Sequence, residues 1–429
     1  MKQLLLLSFC VLCLSVSAQE TDETIDELTQ KINASEKVEK LKWMDSLSTY
    51  LTFQTNQNPD SIINETIQVA LQFDSLNIAL FQLSNKMDYL NNKKGAPEEA
   101  LQAYEKLKHK VKLLDKPATL ARLYLNIGDS YYYLKDYEKS INYYDTTQTY
   151  AKKGAAKKLL GLAKMYKAGS QSQMGEFAKS SQGLQESIRI FQILKDTFNI
   201  ISAKNSLSIL YSQNSFFEEA KKERDEAIKM AKAKNSHAQL VSFYYNAATD
   251  ANKLNDQKSR IANLKLAKEA AEKSWHADFY KPTMLASMVI AFAQTDSIKK
   301  AEKHFNEIKS GPETYRTGTN KENYIEALKH LWYAKKDYQK ALRYAKEHVM
   351  IKRQNSDYED LMNAEKFLAN VYDSLGNSSQ AYVHFKAYEA IKDSISNVQK
   401  VKALSYYQTL YETEKRDARI EVQQSDIAL

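Results

Sequence analysis

The sequence predicts an all-α protein, a right-handed superhelical solenoid of helix-turn-helix units with a 40-residue period. Three observations predict it. The 429 residues include only ten Gly and five Pro, with 43% hydrophobic and 27% charged residues, as in a soluble helical protein with a real core. Small residues recur at a regular spacing along most of the chain. The prolines stand where turns or first helical positions are expected. Because proline inside a helix is costly, this placement agrees with the helical pattern.

The first 18 residues are predicted to be a secretory signal peptide. Lys2 precedes an apolar run from Leu4 to Val16, and Ser17 and Ala18 complete the small-residue pattern that signal peptidase needs. This run is shorter than a membrane span, so cleavage is favoured over the alternative of a retained anchor. We therefore expect an exported chain, periplasmic or extracellular in a Gram-negative bacterium.

Residues 19 to 80 are predicted to form a helical N-terminal cap. Residues 1 to 80 carry five Lys and eleven acids, a net charge of −6, whereas residues 81 to 429 carry +14 of the total of +8. A repeat array needs an atypical terminal unit with a polar outer side to close its exposed end. The basic charge of the later residues is interleaved with acids, as on a solvated helix surface, so nucleic acid is not an expected partner.

Residues 81 to 395 contain the 40-residue period. Its small residues are Ala100, Ser140, Ser180, Ala220, Ala301, Ala341 and Ala381, with Arg260 in the remaining place. Bulky side chains stand three residues before and four residues after most of these positions. A small residue lets two helix backbones approach while bulky neighbours interlock, so each small residue marks a helix crossing.

The block from 121 to 153, ARLYLNIGDSYYYLKDYEKSINYYDTTQTYAKK, resembles a tetratricopeptide repeat (TPR). Ile127-Gly128 match the Leu-Gly pair of that family, Tyr131 its first-helix aromatic and Asp136-Tyr137 its turn. Ser140 and Tyr144 match the small and aromatic positions of its second helix. Weaker copies begin near 81, 161, 201, 241, 282, 322 and 362, which makes about eight repeats.

The sequence departs from the family pattern at several places. Asp88 and Lys329 replace a Gly or Ala of the first helix, Arg260 and Gln257 break the fifth copy, and the usual Pro between repeats is mostly absent. Segment 310 to 320, SGPETYRTGTN, is the clearest interruption and is predicted to be a longer connection, with a hinge as the alternative. Five prolines are predicted to lie at turns or at first helical positions: Pro59, Pro97, Pro117, Pro282 and Pro312.

Residues 396 to 429 are predicted to form a charged C-terminal helix, a candidate coiled-coil stalk and homodimer contact. The helical pattern shows no stop signal before Leu429. The whole layout is similar to the exported sensor region of bacterial membrane-bound TPR regulators, whose output is a histidine kinase or a DNA-binding domain. No output domain is present here, and no membrane span is expected after signal cleavage, since no apolar run of 18 residues follows residue 20.

No catalytic motif stands out. The seven histidines are never closer than 18 residues apart, so no two fit metal-ligand spacing on one helix. Both cysteines, Cys10 and Cys13, lie in the signal peptide, which leaves the mature chain without disulfides or a cysteine nucleophile. Glycine-rich phosphate loops and serine elbows are also missing from the sequence. We expect neither an enzyme nor a bound metal or cofactor.

The resemblance implies that first-helix residues line a concave wall that binds a protein or peptide. By register this wall comprises Arg122, Asp129, Tyr132, Tyr133, Asn205, Gln213, Tyr245, Asn252, His330, Tyr333 and Asn370. Such a polar and aromatic lining suits an extended peptide, whose backbone needs hydrogen-bond partners while its side chains lie on rings. Alternatively, the tyrosines are ordinary packing residues in a chain that has 28 of them. Two functions follow: the extracytoplasmic sensor part of a signalling regulator, or a free-standing periplasmic or secreted scaffold for assembling a protein complex.

Overall fold

The computed structural model describes residues 18–55, 57–274, 277–355 and 358–396, and most of them are helical, with no β-strand in these ranges. The predicted all-α fold class is confirmed. Residues 1–17 of the predicted signal peptide and residues 397–429 of the predicted C-terminal helix lie outside the described residues. The chain divides into two compact units, one ending at Leu210 and the other beginning at Tyr211.

The first unit contains the predicted cap and the first hairpins. Its helices are α1 (Ala18–Ala34), α2 (Lys37–Gln54), α3 (Asp60–Gln72), α4 (Leu76–Tyr89), α5 (Pro97–Val111), α6 (Pro117–Tyr133), α7 (Tyr137–Lys153), α8 (Lys157–Gln173), α9 (Phe177–Ile193) and most of α10 (Thr197–Gln213). Helix α4 continues as a π-helical turn, Leu90–Lys94. The predicted boundary between cap and repeats, at residue 80, falls inside α4, so one helix is shared by both.

The second unit continues the alternation. Its helices are α11 (Phe217–Ala233), α12 (His237–Lys253), α13 (Gln257–Glu272), α14 (Ala277–Gln294), α15 (Ile298–Ser310), α16 (Lys321–Ala334), α17 (Tyr338–Asn355), α18 (Tyr358–Ser374) and α19 (378–396). We call the even-numbered helices from α4 to α18 first helices and their successors second helices. The first helices begin one to five residues before the predicted copy starts.

The small residues of the period lie at helix crossings, as predicted. Six of them have no exposed surface: Ala100, Ser140, Ser180, Ala220, Ala301 and Ala341. The hydroxyl of Ser140 donates to the carbonyl oxygen of Gly128 at 2.9 Å, so the second helix is tied directly to the first. Arg260 is 8% exposed and donates to the amide oxygens of Gln257 and Gln294. Helix α13 is therefore intact despite the long side chain.

Four of the five prolines lie where the sequence predicts. Pro97 and Pro117 are the first residues of α5 and α6, and Pro59 directly precedes α3. Pro312 precedes a 3₁₀ turn. The prediction is wrong for Pro282, which is the sixth residue of α14. Pro282 lies beyond the first four residues of the helix, so its missing N–H costs one backbone hydrogen bond, the one that the carbonyl oxygen of Asp278 would accept.

The interruption at 310 to 320 is a folded connection made of two 3₁₀ turns, Glu313–Tyr315 and Gly318–Asn320. Tyr315 is 6% exposed. The guanidinium of Arg316 donates to the carbonyl oxygens of Ile308 at 3.0 Å and Gly311 at 3.3 Å. These bonds satisfy carbonyls that the end of α15 leaves without helical partners.

Candidate functional site

Hydrogen bonds join side chains of neighbouring first helices about one repeat apart. In the first unit, Asn126 donates to the hydroxyl of Ser84 at 2.8 Å, and Ser130 donates to the side chain of Asn91 at 2.9 Å. In the second unit, Asn323 donates to Thr283 at 3.3 Å. We call this set of contacts the inter-repeat ladder. The ladder provides hydrogen-bond partners for polar side chains on the first helices, which the sequence predicts to line the ligand-binding wall.

Tyr133 and Arg122, two predicted ligand residues, are part of this ladder. The hydroxyl of Tyr133 donates to Asn92 at 2.5 Å, and the amide of Asn92 donates to Asp88 at 3.1 Å. Arg122 donates to the side-chain oxygen of Asn85 at 3.1 Å. Burial raises the pKa of Asp88, and the nearby charge of Arg122 opposes that rise. Both predicted residues therefore hold α6 to α4.

Asp129 does not lie on the inner wall, and this prediction is wrong. Its side chain is 4% exposed and accepts a hydrogen bond from the hydroxyl of Tyr144 at 2.6 Å. Burial raises the pKa of Asp129 to about 8. The position is only about 100° around the helix from Gly128, which faces α7, so Tyr144 can reach it. Asn205 is 5% exposed and is likewise buried rather than on an open wall.

Tyr132 is half-buried, with its ring edge-on to Tyr133 and Tyr137 at centroid distances of 5.8 and 5.7 Å. Gln213 is half-buried in the second unit. In the same unit, Tyr245 lies 3.4 Å from the hydroxyl of Ser287, and exposed Asn252 is within 3.4 Å of the amide of Gln257.

Tyr132, Tyr133 and Asn205 belong to the first unit, and Tyr245 and Asn252 to the second. Asn205 is buried, and contact of one extended peptide with the other four residues of the predicted wall stays a prediction.

The other three predicted residues, His330, Tyr333 and Asn370, surround one aromatic side chain in the second unit. The ring of Phe367 on α18 lies 4.5 Å from that of His330 and 5.3 Å from that of Tyr333. Asn370 follows on the same helix and is exposed. Burial lowers the pKa of His330, and the positive charge of nearby Lys329 lowers it further. We call His330, Tyr333, Phe367 and Asn370 the aromatic patch.

Sequence reasoning missed Phe367 as a functional candidate. The available signal was its spacing: it stands three residues before Asn370, which places both on one side of α18. The hydroxyl of Tyr333 lies 3.1 Å from that of Ser374, one turn beyond Asn370. The patch thus combines ring surface with hydrogen-bonding groups on two neighbouring first helices.

A buried charged cluster lies beside the aromatic patch. Lys329 and His348 are each 2% exposed, and their Nζ and Nδ1 atoms are 2.8 Å apart. Burial lowers the pKa of His348, so a neutral ring accepts from the ammonium group at Nδ1. Lys352 forms ion pairs with Glu322 and with Asp360, the latter at 2.6 Å. The sequence showed only that Lys329 departs from the repeat pattern.

The described residues contain no group of three histidine, cysteine or acidic side chains placed to hold a metal ion. Among the helices of the described ranges, none combines the length and the apolar character that crossing a membrane requires.

No protein-family model matches the chain, and no curated protein matches its sequence. Solved structures do match it. The apo form of RapI is 14% identical with a TM-score of 0.60, over 88% of this chain and 98% of that one. A Rap protein complexed with competence and sporulation factor is 12% identical with a TM-score of 0.56, over 89% and 99%. The apo form of the quorum sensor NprR from B. thuringiensis is 12% identical with a TM-score of 0.54, over 87% and 99%. This likeness confirms a TPR-type helical repeat fold.

Proposed function

We propose that the chain is a non-catalytic module that binds an extended peptide or protein segment on its first helices, as the extracytoplasmic sensor part of a bacterial signalling regulator. The observation that carries the proposal is the aromatic patch. Half-buried rings of His330, Tyr333 and Phe367 stand beside the exposed amide of Asn370. An extended peptide needs this combination, because its side chains pack on rings and its backbone pairs with amides.

The spacing of helices supports an extended ligand. Neighbouring packed helices lie about 8–10 Å apart, and an extended chain advances about 3.3 Å per residue. About three ligand residues therefore correspond to each first helix. Two of the structurally similar proteins are known as complexes, a Rap protein with competence and sporulation factor and NprR with its cognate peptide NprX, the latter 12% identical with a TM-score of 0.50. These complexes support a binding role for the same fold.

The test is a fluorescence-anisotropy screen of random unstructured peptides of about ten residues, a length that spans three first helices at this spacing. Peptides that bind the purified chain are then measured against Phe367→Leu and Asn370→Ala. We expect each change to weaken binding by about fivefold or more, as for contacts at the centre of an interface.

Gln339→Ala is the matched control, because Gln339 is an exposed amide on the second helix α17. It should leave affinity unchanged. If all three variants bind as tightly as the unaltered chain and have unaltered circular dichroism, the site lies elsewhere and the proposal is contradicted.

The sensor role has its own test, the genomic reading frame beyond codon 429. An in-frame apolar segment of about 18 residues or more there supports the membrane-bound sensor. A stop codon favours the free-standing scaffold and contradicts the sensor assignment, while the peptide-binding proposal is tested separately by the screen.

A further inference from the structure

A cavity of about 380 Å³ lies in the first unit between the cap helix α2 and Arg122 of α6. Its walls are formed by Ser46, Thr49, Tyr50, Phe53, Gln54 and Arg122. All six side chains are partly exposed, so the cavity opens to solvent. Its volume falls in the range of pockets that take small molecules or the end of a peptide.

Arg122 brings a positive charge into this cavity, and the buried carboxyl of Asp88, which is not in ion-pair contact with it, raises the pKa of Arg122 against the effect of burial. No carboxylate oxygen of the described residues lies within 4.0 Å of its guanidinium nitrogens. The guanidinium stands 5.2 Å from the ring of Phe53 and 4.9 Å from the ring of Phe81, and one nitrogen donates to the neutral amide of Asn85. Burial lowers the pKa of Arg122, which marks a cation that has lost much of its hydration. Its remaining N–H groups suit a planar anionic acceptor.

Two hydroxyl groups that line the same cavity have protons available to a ligand. The oxygen of Thr49 accepts from Gln82 at 3.1 Å and from Asn85 at 3.2 Å. In these contacts Thr49 acts only as an acceptor, so its own proton is available to a further acceptor. The hydroxyl oxygen of Tyr50 is buried and makes no hydrogen bond to any described residue. A buried hydroxyl without a partner is costly, and a bound acceptor would remove that cost.

We propose that this cavity binds a carboxylate carried on an apolar or aromatic group. The carboxylate pairs with the guanidinium of Arg122 and accepts from Thr49 and Tyr50, while the apolar group packs on the ring of Phe53. Two sources share this chemistry: a free organic acid, and the C-terminal carboxylate of a peptide that ends in an aromatic residue. The proposal goes beyond binding at the aromatic patch, since the cavity belongs to the first unit and the patch to the second.

The experiment measures binding of four probes to the purified chain by isothermal titration calorimetry. Phenylacetate and phenylacetamide differ only in charge and test the cavity with a free acid. The peptide Gly-Gly-Phe and its C-terminal amide make the same comparison for a chain terminus. We expect each carboxylate to bind at least about tenfold more tightly than its amide, as a charged hydrogen bond to a partly desolvated guanidinium predicts. The source that the cavity prefers is the carboxylate with the higher affinity.

Variants connect this preference to the named side chains. Arg122→Gln keeps an amide next to Asn85 but removes the charge, and it should abolish the preference for carboxylate over amide. Tyr50→Phe removes only the unpartnered hydroxyl, so it should fold normally and weaken carboxylate binding about threefold or more. Arg189→Gln is the matched control, because Arg189 is an exposed arginine on α9 of the same unit. It should change nothing.

The proposal is overturned if neither carboxylate binds, if the amides bind as tightly, or if folded Tyr50→Phe and Arg122→Gln both bind like the unaltered chain. The free-acid probes report on the cavity alone. Their failure would leave peptide binding at Phe367 and Asn370 unaffected, so the two proposals can fail separately.

Discussion

The helix crossing is filled differently in two hairpins, α6 with α7 in the first unit and α16 with α17 in the second. A small residue on the first helix faces a large one on the second helix in one hairpin, and the sizes are reversed in the other. Gly128 stands twelve residues before Ser140, and Lys329 stands twelve before Ala341. The residue opposite is Tyr144 in the first hairpin and Ala345 in the second, and both are buried. A Cβ at Gly128 would lie 2.6 Å from the ring of Tyr144. In these two hairpins the combined side-chain volume at the crossing is therefore kept similar, whereas the residue at each position differs.

The residue that follows each of these positions shows a second difference. Asp129 turns towards its second helix because Tyr144 offers it a hydroxyl at 2.6 Å. Ala345 offers no polar group, and His330 instead packs its ring on Phe367 of the next first helix. The partner on the second helix thus decides whether this position is buried in its own hairpin or contributes to the surface.

The largest effect is expected from placing a charge at a crossing. Ala341→Glu should destabilise the second unit by about 3 kcal/mol or more, because Ala341 has no exposed surface and a buried, unpaired carboxylate is costly. Ala220→Glu should behave alike. Ala233→Glu is the control, since Ala233 is exposed, and it should stay within about 0.5 kcal/mol. Urea unfolding followed by circular dichroism measures all three, and equal midpoints would refute the assigned crossings.

The comparison of the two hairpins is tested directly by the same substitution in each. Gly128→Met should cost about 2–3 kcal/mol, since its side chain would overlap the ring of Tyr144. Lys329→Met combined with His348→Leu should change stability by less than about 1 kcal/mol, because it replaces both partners of a buried polar contact with apolar side chains of similar size. Thermal or urea unfolding compares the two, and similar losses would show that volume is not what separates the crossings.

A compensating pair sharpens this test. The hairpin of α12 and α13 has Ala248 and Leu264 at the two places, and both are 2% exposed. In a chain that also carries Asp129→Ala, so that no buried carboxyl loses the hydroxyl of Tyr144, combining Gly128→Ala with Tyr144→Leu copies that pair and should be more stable than Gly128→Ala without it, because the smaller partner makes room for the new methyl group. A double variant less stable than the single one would contradict volume compensation.

A further effect is the pH dependence that Asp129 gives to stability. Its pKa is raised to about 8 in the folded chain, from an ordinary value near 4, so the folded chain holds a proton that the unfolded chain has released between these pH values. The stability that Asp129 contributes is therefore complete below about pH 4 and is lost as pH rises through about 8.

Asp129→Asn cannot titrate and keeps a hydrogen-bonding oxygen near Tyr144. Relative to the unaltered chain, it should gain at least about 1 kcal/mol between pH 5 and pH 8, measured by urea unfolding at each pH. A constant difference across this range would show that Asp129 is not protonated in the folded chain.

The sequence predicts the skeleton of the fold well and the polar surface poorly, for physical reasons. Crossings such as Ala220 and Ala341 follow from a period, and a period is visible in one chain. The burial of Asp129 depends on a tyrosine fifteen residues away on another helix, and the role of Phe367 depends on rings contributed by α16. Helical register gives the direction of a side chain to within about one residue. Whether the side chain is buried or contributes to the surface then depends on the residue that it contacts on a neighbouring helix. The prediction for Pro282 was wrong for a related reason, since the sequence marks the first residue of a helix only weakly.

We expect the anchoring of Arg316 to make the connection between α15 and α16, the longest between helices of the described residues, resistant to proteases. Connections of this kind are the usual places where a protease cuts a folded chain. Trypsin must draw an arginine side chain into its own specificity pocket, whereas the guanidinium of Arg316 is held by carbonyl oxygens at the end of α15. Limited trypsin digestion should therefore spare the peptide bond between Arg316 and Thr317 in the folded chain, and Arg316→Lys, whose ammonium group lacks the planar guanidinium that makes these contacts, should expose it.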